Sequence, residues 1–289
     1  MSPRGPVAET LRVTVVGSSC SIPRPGRACS AYLFESAART IVADLGTGAF
    51  ANLRRYLEPE QIDAIVISHM HADHFLDVIP MRYALKYGTR TNARKPALYL
   101  PPGGEATLRQ LVGAFARESG DDFVGEVFEV RTFDPEQTLS LGDVRLRFAA
   151  TSHYIPTFAL RVESGDASVA YSADTAPDER VVALAAGADA FLCEATLSAA
   201  GEAETPRGHL SAREAAAMAA EAGVGRLLLS HYPASADVRQ LEAIARAGFA
   251  GEVTVVDDGY TLCLPYGSAR DASSPSSRRR EGGRTGRAI

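Results

Sequence analysis

The stretch Ile65-Val66-Ile67-Ser68-His69-Met70-His71-Ala72-Asp73-His74 restricts the fold more than any other part of the chain. Ala64 to Ile67 is uncharged, largely β-branched and of strand length, the pattern of a strand buried on both faces. Three of the chain's six histidines and one aspartate then fall within six residues, on the loop leaving that strand. Imidazole nitrogen and carboxylate oxygen are the donors that zinc-like cations take. A capping loop, with Asp73 as the N-cap of the next helix and the histidines as polar surface, is the alternative. Capping uses one such residue, however, not four.

A core large enough to bury such a strand is available, since 46% of the residues are hydrophobic. Strands are expected at Leu11–Val16, Ala31–Phe34, Thr40–Ala43, Ala97–Leu100, Val127–Thr132, Val144–Ala150, Thr157–Val162 and Ser168–Ser172. The last two form a hairpin across Gly165-Asp166. Helices are expected from Ala49 to Leu57, from Phe75 to Tyr87 and from Glu105 to Arg117. From Asp178 onward, helices at 178–186, 211–222 and 236–247 alternate with strands at 190–193, 226–229, 253–256 and 261–264. Ser211 and Glu214 have capping-box spacing. Hairpins dominate the first part, and strand–helix alternation dominates the last. Two mixed sheets packed face to face, with helices on both outer faces, satisfy this pattern.

Three further polar residues sit where an apolar run meets a turn: His153 after the strand ending at Ala150, Asp174 after Ser168–Ser172, and His231 after Arg226–Leu229. Each alone reads as readily as a structural residue. Together with His69, His71, Asp73 and His74 they repeat one placement, a donor at a strand end, and only there can they converge.

Charge narrows the partners. The tail from Ser268 to Ile289 carries six arginines against Asp271 and Glu281, a net +4, so the chain's −5 leaves −9 on residues 1–267. A body of that sign disfavours indiscriminate binding to nucleic acid or anionic membrane. The tail's Arg/Ser/Gly composition predicts disorder. The expected organisation is a flexible N-terminus (1–10), one catalytic domain (11–267) and this tail (268–289). Cys20, Cys29, Cys193 and Cys263 make no CxxC pair, and a Cys20–Cys29 bridge is allowed but disfavoured in a reducing compartment. No signal peptide and no run of about 18 apolar residues is seen, so a cytoplasmic location without a membrane partner is expected.

The ordered set His-x-His-x-Asp-His at 69–74, His153, Asp174 and His231 resembles the metallo-β-lactamase superfamily, over nearly all of residues 11–264. The resemblance implies an α/β (α+β) fold, a four-layer αββα sandwich with a dinuclear metal site at one edge of the sheets. It implies that His69, His71 and His153 bind one divalent ion, that Asp73, His74 and His231 bind a second, and that Asp174 bridges them. Mixed N/O ligation suits zinc, with manganese or iron as alternatives.

Cys193-Glu194-Ala195-Thr196 and Gly208-His209-Leu210-Ser211 are similar to segments of the ribonuclease Z-like branch. There the glutamate orients the histidine, and the histidine serves the leaving oxygen. Cys193 departs from the histidine often found in that branch. A second departure matters more. The long tRNA-gripping arm of bacterial ribonuclease Z lies between the positions of His153 and Asp174, and here only 21 positions separate them. The resemblance without the arm implies a phosphodiesterase acting on a cyclic nucleotide or short oligonucleotide, with tRNA disfavoured but still open, and with a homodimer as a possible assembly.

The implied chemistry is two-metal hydrolysis, with ions about 3.5–4 Å apart. Asp73 is the candidate proton acceptor, and Glu194 and His209 complete the catalytic set. Backbone N–H groups of Gly17-Ser18-Ser19, and the rings of Tyr154 and Tyr232, are further candidates for substrate contact, against plain turn and packing roles. Hydrolysis of a thioester, lactone or sulfate ester, and a non-catalytic binding role, are the competing functions.

Overall fold

A computed structural model describes residues 11–88, 94–116, 123–198 and 206–264. The Arg-rich tail expected to be disordered, the N-terminal residues 1–10 expected to be flexible, and Arg117 lie outside the described residues. Two sheets form the centre, each of seven strands. The first contains β1 (Leu11–Gly17), β2 (Ala31–Glu35), β3 (Thr40–Ala43), β4 (Ala64–Val66), β5 (Ala97–Leu100) and β6 (Glu129–Thr132) in that order, with β14 (Thr261–Leu264) outside β1. The second runs β7 (Leu139–Leu141), β8 (Val144–Ala150), β9 (Phe158–Ser164), β10 (Ala167–Tyr171), β11 (Ala190–Glu194), β12 (Arg226–Ser230) and β13 (Glu252–Val255).

Both sheets are antiparallel in one half and parallel in the other. In the first, β14-β1-β2-β3 pair antiparallel and β3-β4-β5-β6 parallel. In the second, β7-β8-β9-β10 pair antiparallel and β10-β11-β12-β13 parallel. Both sheets are therefore mixed, as expected; what the hairpin-rich reading of the early part lacked is the parallel half β3-β4-β5-β6 of the first sheet. Periodicity reports burial on one or two faces, not strand direction, so it carried no signal for this.

Side chains alternate between two kinds of core. Val13, Tyr32, Ile41 and Val66 from the first sheet meet Leu146, Leu160, Val169 and Leu192 from the second. The intervening residues Leu33, Val42, Ile65 and Leu98 point outward, under α1 (Ala49–Leu53), α3 (Val78–Tyr87) and α4 (Gly104–Gly113). Phe191, Leu227 and Leu229 do the same beneath α5 (Glu179–Ala185) and α6 (Ala212–Ala222), and Val253 beneath α7 (Val238–Gly248). The result is helix, sheet, sheet, helix. Strands covered on both faces read as continuous apolar runs, which is why Ala64–Ile67 shows no alternation. Truncating a central residue such as Leu192 to alanine costs about 2–5 kcal/mol.

Local differences from expectation are small. The Ala49–Leu57 helix stops at Leu53 and gives way to turns. The Phe75–Tyr87 helix divides into the one-turn α2 (Ala72–Phe75) and α3. Leu139–Leu141 is a short strand that the sequence reading does not include, three residues being too few for a period. Ser211 caps α6 in the expected capping box. All four cysteines are free, with the Cys29 thiol donating to the Cys20 carbonyl at 3.4 Å. Among the described residues no helix is long and apolar enough to cross a membrane.

Candidate metal centre

Strands β3 and β4 run in one direction in the first sheet, and β8, β10, β11 and β12 in one direction in the second; contacts between residues that follow them place these ends at one edge of the sandwich. The segments that follow carry Asp44, His69–His74 (the last three in α2), His153, Asp174 and His231, and Glu194 is the last residue of β11. Loops at strand carboxyl ends are where open α/β sheets bind ligands. The chain's histidines at 69, 71, 74, 153, 209 and 231 are all six of its total, and every one reaches this edge. Asp73 lies in the first turn of α2, whose N-cap is His71 with no side-chain capping bond. The capping alternative for Asp73 therefore fails.

Donor atoms gather in two groups. His69, His71, His153 and Asp174 form one, and Asp73, His74, Asp174 and His231 the other, with donor atoms in each within 4.8 Å of one another. In the first, His71 Nδ1 lies 3.1 Å from His69 Nε2 and 3.0 Å from His153 Nε2. Tetrahedral ligands about 2.0–2.1 Å from zinc stand roughly 3.3 Å apart. Asp174 divides its two oxygens between the groups. Oδ2 faces His69 Nε2 at 3.8 Å and His153 Nε2 at 3.9 Å, whereas Oδ1 faces His74 Nε2 at 3.3 Å and His231 Nε2 at 3.4 Å. Asp73 Oδ2 completes the second group, 3.4 Å from His231 Nε2 and 3.6 Å from His74 Nε2.

Four of these histidines have the outward nitrogen tied back. His69 Nδ1 meets Ser68 Oγ at 3.0 Å, His74 Nδ1 meets Asp44 at 2.8 Å, His153 Nδ1 meets the Gly208 carbonyl at 2.7 Å and His231 Nδ1 meets Thr196 Oγ1 at 2.9 Å. Such outer partners fix ring orientation and tautomer in metal-binding histidines. The inward atoms His74 Nε2 and Asp174 Oδ1 are buried and have no hydrogen-bond partner. A buried polar atom left unpaired is costly, and a cation shared between these two would satisfy both.

Protonation agrees with the donor set. Burial pushes His69, His71 and His153 below the ordinary histidine range, outweighing the pull of Asp174. Burial acts to raise Asp73 and Asp174. The histidines around them prevail, taking Asp73 to about 2 and Asp174 well below the carboxylate range. Neutral imidazoles and ionised carboxylates are the forms that ligate. His74 is the exception: burial opposes its protonation, but Asp174 and Asp44 on either side raise it well above normal.

Glu194 and His209 also meet at this edge. Burial disfavours the His209 cation, but the Glu194 carboxylate, 3.0 Å from Nδ1, outweighs it and brings His209 to about 9. The same carboxylate accepts the Thr175 backbone N–H at 2.7 Å, next to Asp174. His209 Nδ1 is 3.9 Å from Asp174 Oδ2.

Two of the three candidates for substrate contact take the structural roles weighed against them. The Ser18 N–H donates to Asp258 and the Ser19 N–H to the Ala28 carbonyl, so Gly17-Ser18-Ser19 is a structural turn. Tyr232 is fully buried, its hydroxyl held by Arg27, Asp257 and the Val256 carbonyl. Tyr154 is exposed at the rim.

The residue that sequence reasoning overlooked is Asp44. It is wholly buried and accepts from the Ser68 N–H, Ser68 Oγ, His74 Nδ1 and the Tyr171 hydroxyl, all at 2.7–2.8 Å. The signal was present, since Asp44 follows the apolar run Thr40–Ala43 as His153 follows its own strand. Asp44 (φ 59°), Ala173 (φ 49°) and His231 (φ 48°) are the non-glycine residues with left-handed backbone among those described. All three flank the donor groups, and strain of this kind gathers at functional sites. Gly46 explains how the Asp44 loop approaches: a Cβ there would stand 1.8 Å from the Asp73 carbonyl oxygen.

Residues 39–232 match the family model for the beta-lactamase superfamily domain, more than half of the chain. The chain belongs to this superfamily, has its metallo-β-lactamase fold, and is a hydrolase of its metal-dependent kind. The probable metallo-hydrolase YhfI of Bacillus subtilis is 29% identical over 254 residues, spanning 86% of this chain and 98% of that protein. The ribonuclease Z of Mycobacterium bovis is 30% identical over 275 residues, spanning 86% and 96%. The YhfI crystal structure superposes with a TM-score of 0.77 at 27% identity, covering 88% of this chain and 99% of its own. The short form of human tRNase Z, at 22% identity and a TM-score of 0.68 over 87% and 98%, shares the fold.

Proposed function

We propose that the chain is a dinuclear-metal phosphodiesterase that hydrolyses a small phosphodiester, a cyclic nucleotide or short oligonucleotide. The observation that carries this reading is the division of Asp174: one oxygen faces His69 and His153, the other His74 and His231. His69, His71, His153 and Asp174 would hold one ion, and Asp73, His74, His231 and Asp174 the other. Zinc fits this donor set, with manganese or iron as alternatives. Two divalent cations held there would supply Lewis acidity for water activation and for charge on the phosphoryl oxygens.

The chain's own groups do the rest. Asp73, beside His74 and His231, accepts the proton that water gives up. His209, oriented through Nδ1 by Glu194, donates a proton to the leaving alkoxide through its other nitrogen. A proton donor of this kind serves an alkoxide leaving group, which favours a phosphodiester over a thioester, whose thiolate leaves without one.

Ribonuclease Z kinship over most of the chain favours a second reading, cleavage of precursor tRNA. Against it, the β9–β10 hairpin occupies the span between His153 and Asp174 without an inserted arm, and residues 1–267 carry −9.

The test is a substrate panel of cyclic AMP, bis-p-nitrophenyl phosphate, a thioester and a tRNA precursor, with Asp174→Ala as control and metal content measured in parallel. Two ions per chain and cleavage of the first two substrates are expected. Efficient tRNA cleavage would favour the second reading. Thioester hydrolysis without phosphodiester hydrolysis would sink both.

A further inference from the structure

Among the described residues, large apolar side chains are exposed at Ile22, Tyr56, Tyr83, Tyr87, Phe115 and Tyr154. Tyr83 and Tyr87 stack on one another, and Phe115 packs on Phe123. Tyr154 differs: its ring neighbours are two residues of the metal centre. Its centroid lies 4.9 Å from that of His153, tilted by 53°, and 5.9 Å from that of His209, at 65°.

This ring is held in place. The His153–Gly208 bond of 2.7 Å fixes the loop on one side. A Cβ at Gly208 would stand 2.8 Å from Tyr154 Cε2 and 3.0 Å from Cδ2. The ring edge therefore rests against bare backbone, and a side chain at 208 would push the ring from its place. More than half of the side chain's residue surface, 52%, remains open.

A single exposed tyrosine needs no explanation in general. One seated on glycine, edge-on to His209 and with an open face, is a stacking platform. A sugar oxygen leaving toward His209 would carry its base outward along the rim, to the side where Tyr154 stands.

We propose that Tyr154 is the platform on which a nucleobase of the substrate stacks, so that this site selects nucleotide phosphodiesters over those without a base. The inference rests on the phosphodiesterase reading above. By alanine substitution, base–aromatic stacking changes affinity by roughly five- to 150-fold per base.

The test compares the metal-loaded wild type, Tyr154→Ala and Tyr154→Phe on cyclic AMP, the dinucleotide ApA and glycerol 1,2-cyclic phosphate, a diester without a base. Tyr154→Ala is expected to raise KM for both nucleotides about tenfold, with kcat within a factor of about two. Tyr154→Phe should restore wild-type KM, and glycerol cyclic phosphate should be turned over alike by all three. The chain has no tryptophan, so Tyr154→Trp adds a reporter at this position alone. AMP should quench its fluorescence and ribose 5-phosphate should not.

Equal losses on all three diesters would mean that Tyr154 merely props the His153 loop. Unchanged nucleotide kinetics, or equal quenching by AMP and ribose 5-phosphate, would likewise overturn the inference while leaving the phosphodiesterase reading intact. A wild type that hydrolyses no diester removes that reading and this inference together.

Discussion

Asp44 offers the sharpest test of how the centre is held. Its Oδ1 accepts the Ser68 N–H, and its Oδ2 accepts Ser68 Oγ, His74 Nδ1 and the Tyr171 hydroxyl. In Asp44→Asn the volume is unchanged, and the amide places its oxygen at the Oδ2 position, where three donors meet it. The amide nitrogen then faces the Ser68 N–H, and one buried backbone donor loses its acceptor. An unsatisfied buried donor costs about 1–3 kcal/mol, and hydrogen bonds to charged groups contribute roughly 1.5–3 kcal/mol. Losing one acceptor and the charge of another therefore amounts to about 3 kcal/mol. Against a total of about 5–15 kcal/mol for an ordinary domain the variant still folds.

The effect on function is separable from the effect on stability. His74 would lose the anionic partner that sets its tautomer and ring orientation, and outer-partner changes of this kind cost about 10–100-fold in metal affinity. Of the two donor groups only the one containing His74 is touched directly. Competition with a graded series of chelators should show one ion weakened by that factor and the other nearly unchanged. Urea unfolding at neutral pH gives the stability term. A variant that binds both ions normally and loses less than about 1 kcal/mol would refute the idea that Asp44 organises the site.

Three further outcomes follow from contacts already described. Glu194→Gln should lower kcat by about 100-fold for an alkyl leaving group and by much less for p-nitrophenolate, which needs no proton; equal losses would remove His209 from the proton-donor role. Asp178 caps α5 through the Arg180 N–H at 2.9 Å and accepts Ser152 Oγ at 2.8 Å. Burial raises its pKa, but the Arg180 hydrogen bonds outweigh this and leave it lowered. Its stabilisation is thus full above the unfolded carboxyl value near 4 and disappears as pH falls through the folded value. Asp178→Ala should cost about 1 kcal/mol at pH 7 and progressively less on acidification, read from urea midpoints. Gly46→Ala should lower Tm and weaken metal binding together, because the methyl meets the Asp73 carbonyl; a fall in Tm alone would show the two loops to be mechanically independent.

What the sequence reveals here depends on how local the physics is. His69–His74 could be recognised from composition alone, because one loop brings four donors together. His153, Asp174 and His231 are local only in their position after apolar runs, and their convergence depends on which strands run together. That is a property of sheet pairing, and no hydropathy period encodes it. Asp44 stands at an equally good strand end yet was overlooked, since a lone aspartate before Leu45-Gly46 looks like any turn. Its importance comes from Ser68, His74 and Tyr171, which lie 24, 30 and 127 positions away. Tyr154 and Tyr232 make the same point in reverse. Both adjoin histidines of the site, and both seemed equal candidates for a base. Burial separates them: Tyr232 is tied down by Arg27 and Asp257, while Tyr154 lies on Gly208, a residue 54 positions later whose missing side chain leaves the ring its place. In this chain the donors are written locally, but the groups that orient them and shape the rim come from distant parts of the sequence that only the packed sheets bring together.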